Sequence, residues 1–111
     1  MNMFFLRLEC TAPDVSVEQL EDDFTGIADA LFEVEGVIDP DLELDVERSA
    51  LTFSMILEAD NEADAMVNAI TAARTALHTA GKGTPGWDDH YRLARQDVER
   101  QTEVAADQVH A

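Results

Sequence analysis

Basic residues are scarce in this chain. Of 111 residues only seven are Lys or Arg, and one of those, Lys82, is the single lysine. Nucleic-acid backbones and anionic bilayers are held by clustered Lys and Arg, so direct binding to either is disfavoured. Cysteine is scarcer still. Cys10 stands alone, closes no intrachain disulfide, and agrees with a reducing compartment. No apolar run approaches the roughly 20 residues that a membrane helix needs. The opening Met1 to Cys10 has Arg7 within it and no basic segment ahead of an apolar one, so it reads as a strand and not as a leader. The cytoplasm is the expected location.

Acid is what the chain has in excess: 24 Asp and Glu, for a net charge of −17. Eighteen of the acids fall in residues 1–64 and none in residues 65–87, which hold Arg74 and Lys82. Net charge speaks to solubility and association rather than to fold. The plain reading is solubility; the sharper ones are a basic protein partner or a salt-rich cytoplasm. Arg in place of Lys, with much Ala, Val and Asp, resembles the usage of high-GC bacteria, including actinobacteria. The length suits one domain, and the apolar content of 46% suits a folded one.

Periodicity places the elements. Phe4, Leu6, Leu8 and Cys10 alternate with Met3, Phe5, Arg7 and Glu9, which is the period of a strand. Val17, Leu20, Phe24, Ile27, Leu31 and Val34 recur at spacings of three and four, so Ser16 to Glu35 reads as a helix capped by Ser16 and Gln19 and closed by Gly36. Gly26 lies in its middle, where the helix could approach the sheet. Asp41 to Glu47 alternates with Leu42, Leu44 and Val46 inward, and Arg48-Ser49 turns it into a further strand, Ala50 to Ala59. There Leu51, Phe53, Met55, Leu57 and Ala59 share one face, and Ile56 is apolar on the other. Asp60 or Asn61 caps a second helix to about Ala80, with a thin stripe of Ala63, Met66, Ile70, Ala73 and Leu77. After the linker-like 81–86, Trp87, Tyr91, Ala94, Val98, Thr102 and Ala105 predict a third, C-terminal helix.

The fold class is therefore α+β. A strand–helix–strand crossover and a hairpin insert the last strand between the first two, giving a three-stranded sheet with both helices on one face. This order resembles a ferredoxin-like fold over residues 3–80 that lacks its fourth strand. Residues 1–81 form the βαββα domain, and 82–111 a linker and a helix packing on it or on a partner. Met3–Cys10 would be a long apolar edge, a liability that is ordinarily paired or covered. A homodimer through that edge, or through the open sheet face bearing Met3, Phe5, Arg7 and Ile56, is expected, with Trp87 and Tyr91 as further interface residues.

Chemistry is hard to find. No nucleophile has a base beside it. Cys10 falls on the inward face and His78 near a helix C-terminus. Asp88, Asp89, His90 and Tyr91 are dense, but Asp89 and His90 are adjacent and diverge on a helix. Gly81-Lys82-Gly83-Thr84 follows a helix, whereas a phosphate loop follows a strand. No catalytic, cofactor or metal residue is expected. The run from Ala76 through His78, Gly81, Thr84 and Pro85 to Trp87 resembles the end of small uncharacterised proteins of actinobacteria and their phages. That resemblance implies a lineage and no activity. The expectation is a non-enzymatic, acidic, dimeric interaction module, encoded by a phage or mobile element and binding a basic host protein. The alternatives are a structural subunit of a larger assembly, or a small-ligand-binding or enzymatic ferredoxin-like dimer.

Overall fold

Alternation does build the two long strands. In a computed structural model, which describes residues 2–81 and 91–101, β1 (Asn2–Thr11) and β3 (Ala50–Ala59) pair antiparallel along their whole length. Their inward residues Phe4, Leu6, Leu8, Leu51, Phe53 and Met55 are buried to 2% exposure or less. Removing such side chains from water contributes about 1.5–3 kcal/mol each. β2 (Ile38–Asp45) pairs with the far side of β3, with a register shift between Ile38 and Asp41 beside Asp39, whose φ is +48°. It ends two residues earlier than its alternation suggests. Asp45 Oδ1 accepts the Arg48 amide at 3.2 Å and starts the turn there, leaving Val46 exposed.

α1 (Val17–Phe32) begins as its sequence demands: Ser16 Oγ accepts the Gln19 amide at 3.1 Å. The Gln19 side chain does not turn back to close a capping box; it donates to Asp23 Oδ1 at 2.8 Å. Leu20, Ile27, Ala30 and Leu31 are buried, whereas Val17 at the first turn is exposed. α2 (Glu62–Ala80) starts from Asn61, whose Oδ1 accepts the Asp64 amide at 2.9 Å. Its core stripe differs from the expected one. Ala65, Ala69, Ala72, Ala73, Ala76 and Leu77 are buried; Met66 and Ile70 are half-buried flanks and Ala63 is exposed. Alanine wins at the contact with α1, where a smooth face lets the two helices lie close.

The larger correction is at the C-terminal end. The predicted third helix is a strand, β4 (Arg92–Gln101), paired antiparallel with the free side of β1. The sheet thus has four strands, in the order β2-β3-β1-β4 and antiparallel throughout, with both helices on one face. That is the complete ferredoxin-like arrangement. The helical spacing of Tyr91, Ala94 and Val98 misled because Ala94 is a bulge. Glu9 pairs with Arg95 and Cys10 with Leu93, so Ala94 has no opposite number. Met3–Cys10 is consequently no edge, and a dimer through it is ruled out by the chain's own β4. Among the described residues, no helix is long and apolar enough to cross a membrane.

Gly26 does not serve a close approach to the sheet. A methyl group built there would lie 3.9 Å from the Ala80 Cβ, an ordinary contact. Gly26→Ala should therefore raise stability by about 0.5–1 kcal/mol through helix propensity and a stiffer unfolded chain. Urea unfolding followed by circular dichroism measures it, and a loss of stability would show that the α1–α2 contact has no room.

Candidate functional site

The thin face of α2 leaves a space. Where α2 crosses β1 and β4, a cavity of about 150 Å³ is walled by Leu8 and Cys10, by Ile70, Ala73 and Leu77, and by Leu93. Cys10 and Ala73 are small, so the apolar wall does not close on itself. The bulge at Ala94 sets Leu93 opposite Cys10 and so supplies the β4 wall. Among the described residues, the polar ones that line the cavity are Arg74 and Tyr91.

Tyr91 is buried, and its hydroxyl donates to Asp23 Oδ2 at 2.5 Å, tying the start of β4 to α1. Burial first, then that hydrogen bond and the Asp23 charge, push the phenol above its ordinary pKa. Burial, with the Glu9 charge adding to it, pushes the Cys10 thiol up to about 11. Both groups are neutral at pH 7. Among the described residues, no carboxylate and no histidine lines this cavity. Its walls can bind, orient and exclude water; among the described residues they offer no general base and no thiolate nucleophile.

The residues expected at an interface lie elsewhere. Phe5 pairs with Ile56, and Ile56 with Ile38, so three apolar residues form a row across the open sheet face. Met3, diagonal to that row, is half-buried, and Arg7 is exposed on the next row. Tyr91 is separated from all of them, on the helix side of the sheet. Trp87, with Asp88, Asp89 and His90 and the Lys82–Gly86 part of the linker, lies outside the described residues.

The other end of the open face is charged. Arg7, Arg48 and Arg95, with Glu9, Asp97 and Thr52, surround a hollow of about 220 Å³. Three of seven basic residues meet here, and each has an acid at hand. Arg48 grips Glu9 through two bonds of 2.6 and 2.8 Å, Arg95 meets Asp97 at 3.3 Å, and Arg7 reaches Glu43 at 3.7 Å. The Glu9 hydrogen bond and then its charge raise the Arg48 pKa above its ordinary value. Among the described residues, no three His, Cys, Asp or Glu are grouped to hold a metal ion.

Sequence reasoning named Leu8, Cys10, Ile70, Ala73 and Leu77 as packed core, singled out Arg74 only as a charge, and gave Leu93 no role. The signal available was volume: a helix whose inward stripe is mostly alanine cannot fill the space that a leucine stripe fills.

No protein-family model matches the chain, and no curated protein matches it. Several solved structures do. A proposed antibiotic biosynthesis monooxygenase from Chloroflexus aurantiacus is similar at 11% identity, covering 90% of this chain and 93% of that one, with a TM-score of 0.49. SnoaB, a cofactor-independent oxygenase from Streptomyces nogalater, is similar at 14% identity, covering 93% and 98%, with a TM-score of 0.48. A point mutant of SnoaB is similar at 13%, with a TM-score of 0.43. The names these structures carry are those of enzymes, which contradicts the expectation of a non-enzymatic interaction module. They show no actinobacterial or phage family, and at this level of likeness they transfer no residue role to this chain.

Two outcomes follow from the Tyr91 and Cys10 environments. Tyr91→Phe should cost about 1–2 kcal/mol in urea unfolding, the loss of a partly buried hydrogen bond to a carboxylate; an unchanged midpoint would mean that the bond is not made. For Cys10, the folded pKa of about 11 exceeds the ordinary 9.0. Its contribution is thus complete below pH 9 and is lost as pH rises toward 11, because the unfolded chain gives up its proton first. The difference in stability between wild type and Cys10→Ala should narrow over that interval; a constant difference would place the thiol in water.

Proposed function

We propose that this chain is an enzyme acting on a small molecule, whose largely apolar part seats in the cavity between α2 and the β1–β4 half of the sheet. The observation that carries this reading is the cavity itself, about 150 Å³ with an apolar wall and two polar groups. A space of that size admits a single aromatic ring or its aliphatic equivalent, and pockets with few polar groups in an apolar wall are the usual form of a small-molecule site. Cys10 and Tyr91 are neutral at pH 7, so the wall would bind and orient while reactivity came from the substrate or a co-reactant. The names borne by the similar structures choose only the first assay, oxygen uptake without added cofactor.

The test is binding. With methyl-labelled protein, small aromatic compounds should shift the resonances of Ile70, Leu77 and Leu93 and leave Leu42, on the far strand β2, unmoved. Ala73→Val should weaken that binding several-fold while the circular dichroism stays native. Shifts spread evenly over the molecule, or none at the cavity, would defeat the reading.

A second reading concerns assembly, and the row of Ile38, Ile56 and Phe5 favours it. A contiguous apolar row on an otherwise polar sheet face suits burial against another surface, and a second copy would meet it with the same row. We therefore propose a homodimer through the open face. Ile56→Asp should convert it to a soluble monomer in analytical ultracentrifugation. A wild type that is monomeric at high concentration would exclude the dimer.

A further inference from the structure

We propose that the ligand of the α2 cavity is a small organic acid, its ring or chain among the leucines and its carboxylate, or equivalent anion, held by Arg74 at the threshold. This rests on the reading of the cavity as a small-molecule site and adds the class of compound it takes.

Three observations converge on Arg74. It lines the cavity, and it also lines the shallow groove of about 340 Å³ that Thr71, Thr75 and His78 form on the outer side of α2. It is thus the boundary between an apolar interior and a polar exterior, where an amphipathic molecule places its head. Among the described residues it is also the one charged residue that lines the cavity, and it is positive in a chain of net charge −17. Such a protein repels anions over most of its surface. The stretch 65–81 is the exception, with Arg74 and not one Asp or Glu. Within α2, the stretch that carries Arg74 therefore repels an anion least. Guanidinium is also the side chain best shaped to take a planar carboxylate through two parallel hydrogen bonds.

The other polar lining residue fixes the direction. Tyr91 gives its hydroxyl proton to Asp23, so its phenol is already committed as a donor and is backed by a carboxylate. An anionic head there would face like charge, and among the described residues a cationic ligand would find no carboxylate lining the wall. The acid group belongs at Arg74, with Thr71 and Thr75 hydroxyls on its outer side.

Benzoate and benzyl alcohol, which share a ring and differ in charge, are the probes, titrated into methyl-labelled wild type, Arg74→Gln and, as control, Arg95→Gln on the open sheet face. Benzoate should shift the Ile70 and Leu93 methyls with at least fivefold tighter binding than benzyl alcohol. Arg74→Gln should abolish that preference and leave benzyl alcohol within twofold, Arg95→Gln should change neither, and added salt should weaken benzoate alone. Equal binding of both probes in the cavity, unaltered by Arg74→Gln, would overturn the acid class while the cavity site stands, leaving Arg74 no part in binding. Benzoate shifts confined to Thr52 and the open face would overturn it in favour of the arginine cluster there. Cavity methyls that respond to neither probe would overturn the proposal and the small-molecule site together.

Discussion

β1 is apolar on its inner side and half apolar on its outer one, and such a strand cannot stand at the margin of a sheet. Its unpaired amides and carbonyls would recruit another chain, so both sides must be satisfied. β3 satisfies one, residue for residue, and β4 the other. The remaining architecture follows. With β1 and β3 both interior, α2 lies over β3, β1 and β4, and α1 packs beside it against β2. β2 is left as the outer strand on one side, where Asp41, Glu43 and Asp45 make it an unattractive template for further pairing. The cavity depends on the same pairing, because its β4 wall exists only while Leu93 lies opposite Cys10.

β4 holds its place with little apolar help. Val98 is half-buried opposite Leu6, and Leu93 is 44% exposed. Its register is marked instead by charge: Arg7 lies opposite Asp97 and Glu9 opposite Arg95. Opposite charges across a strand pair contribute roughly 0.2–1 kcal/mol each, too little to hold a strand but enough to choose between registers one residue apart. Tyr91, buried just before β4 and bonded to Asp23, fixes where the strand enters the sheet.

Where the hydrophobic signal was strong, the fold was legible: β1, β3, α1 and the insertion of β3 between β1 and β2 all follow from alternation or from a stripe of three and four. β4 was not, because one bulged alanine shifts its phase and gives Tyr91, Ala94 and Val98 a helical spacing. Its charge complementarity to β1 was readable, yet such pairs become visible only once a partner strand is supposed. The stripe of α2 was misread because Met66 and Ile70 outrank alanine in hydrophobicity, while in a tight helix–helix contact fit decides. The cavity was illegible for a related reason. Periodicity reports which residues point inward and says nothing of whether their volumes fill the space. Of the site, Tyr91 was noticed as an interface residue, but its partner Asp23 is 68 residues away in sequence and no local pattern joins them.

β1 serves both faces of the sheet at once. Leu8 and Cys10 turn toward the cavity, while Arg7 and Glu9 turn toward the open face. Alternation therefore puts one backbone between the two candidate surfaces, with no shared side chain. A second copy seated on the row of Ile38, Ile56 and Phe5 would leave the cavity open, because its threshold at Arg74 lies on the helix side. A ligand in the cavity would likewise touch nothing that a partner touches. Coupling between the two would have to pass through the sheet backbone, in which β1 is clamped by β3 and β4 on either side. A strand so held moves little, so the two surfaces should act as independent sites, and loss of one need not carry loss of the other.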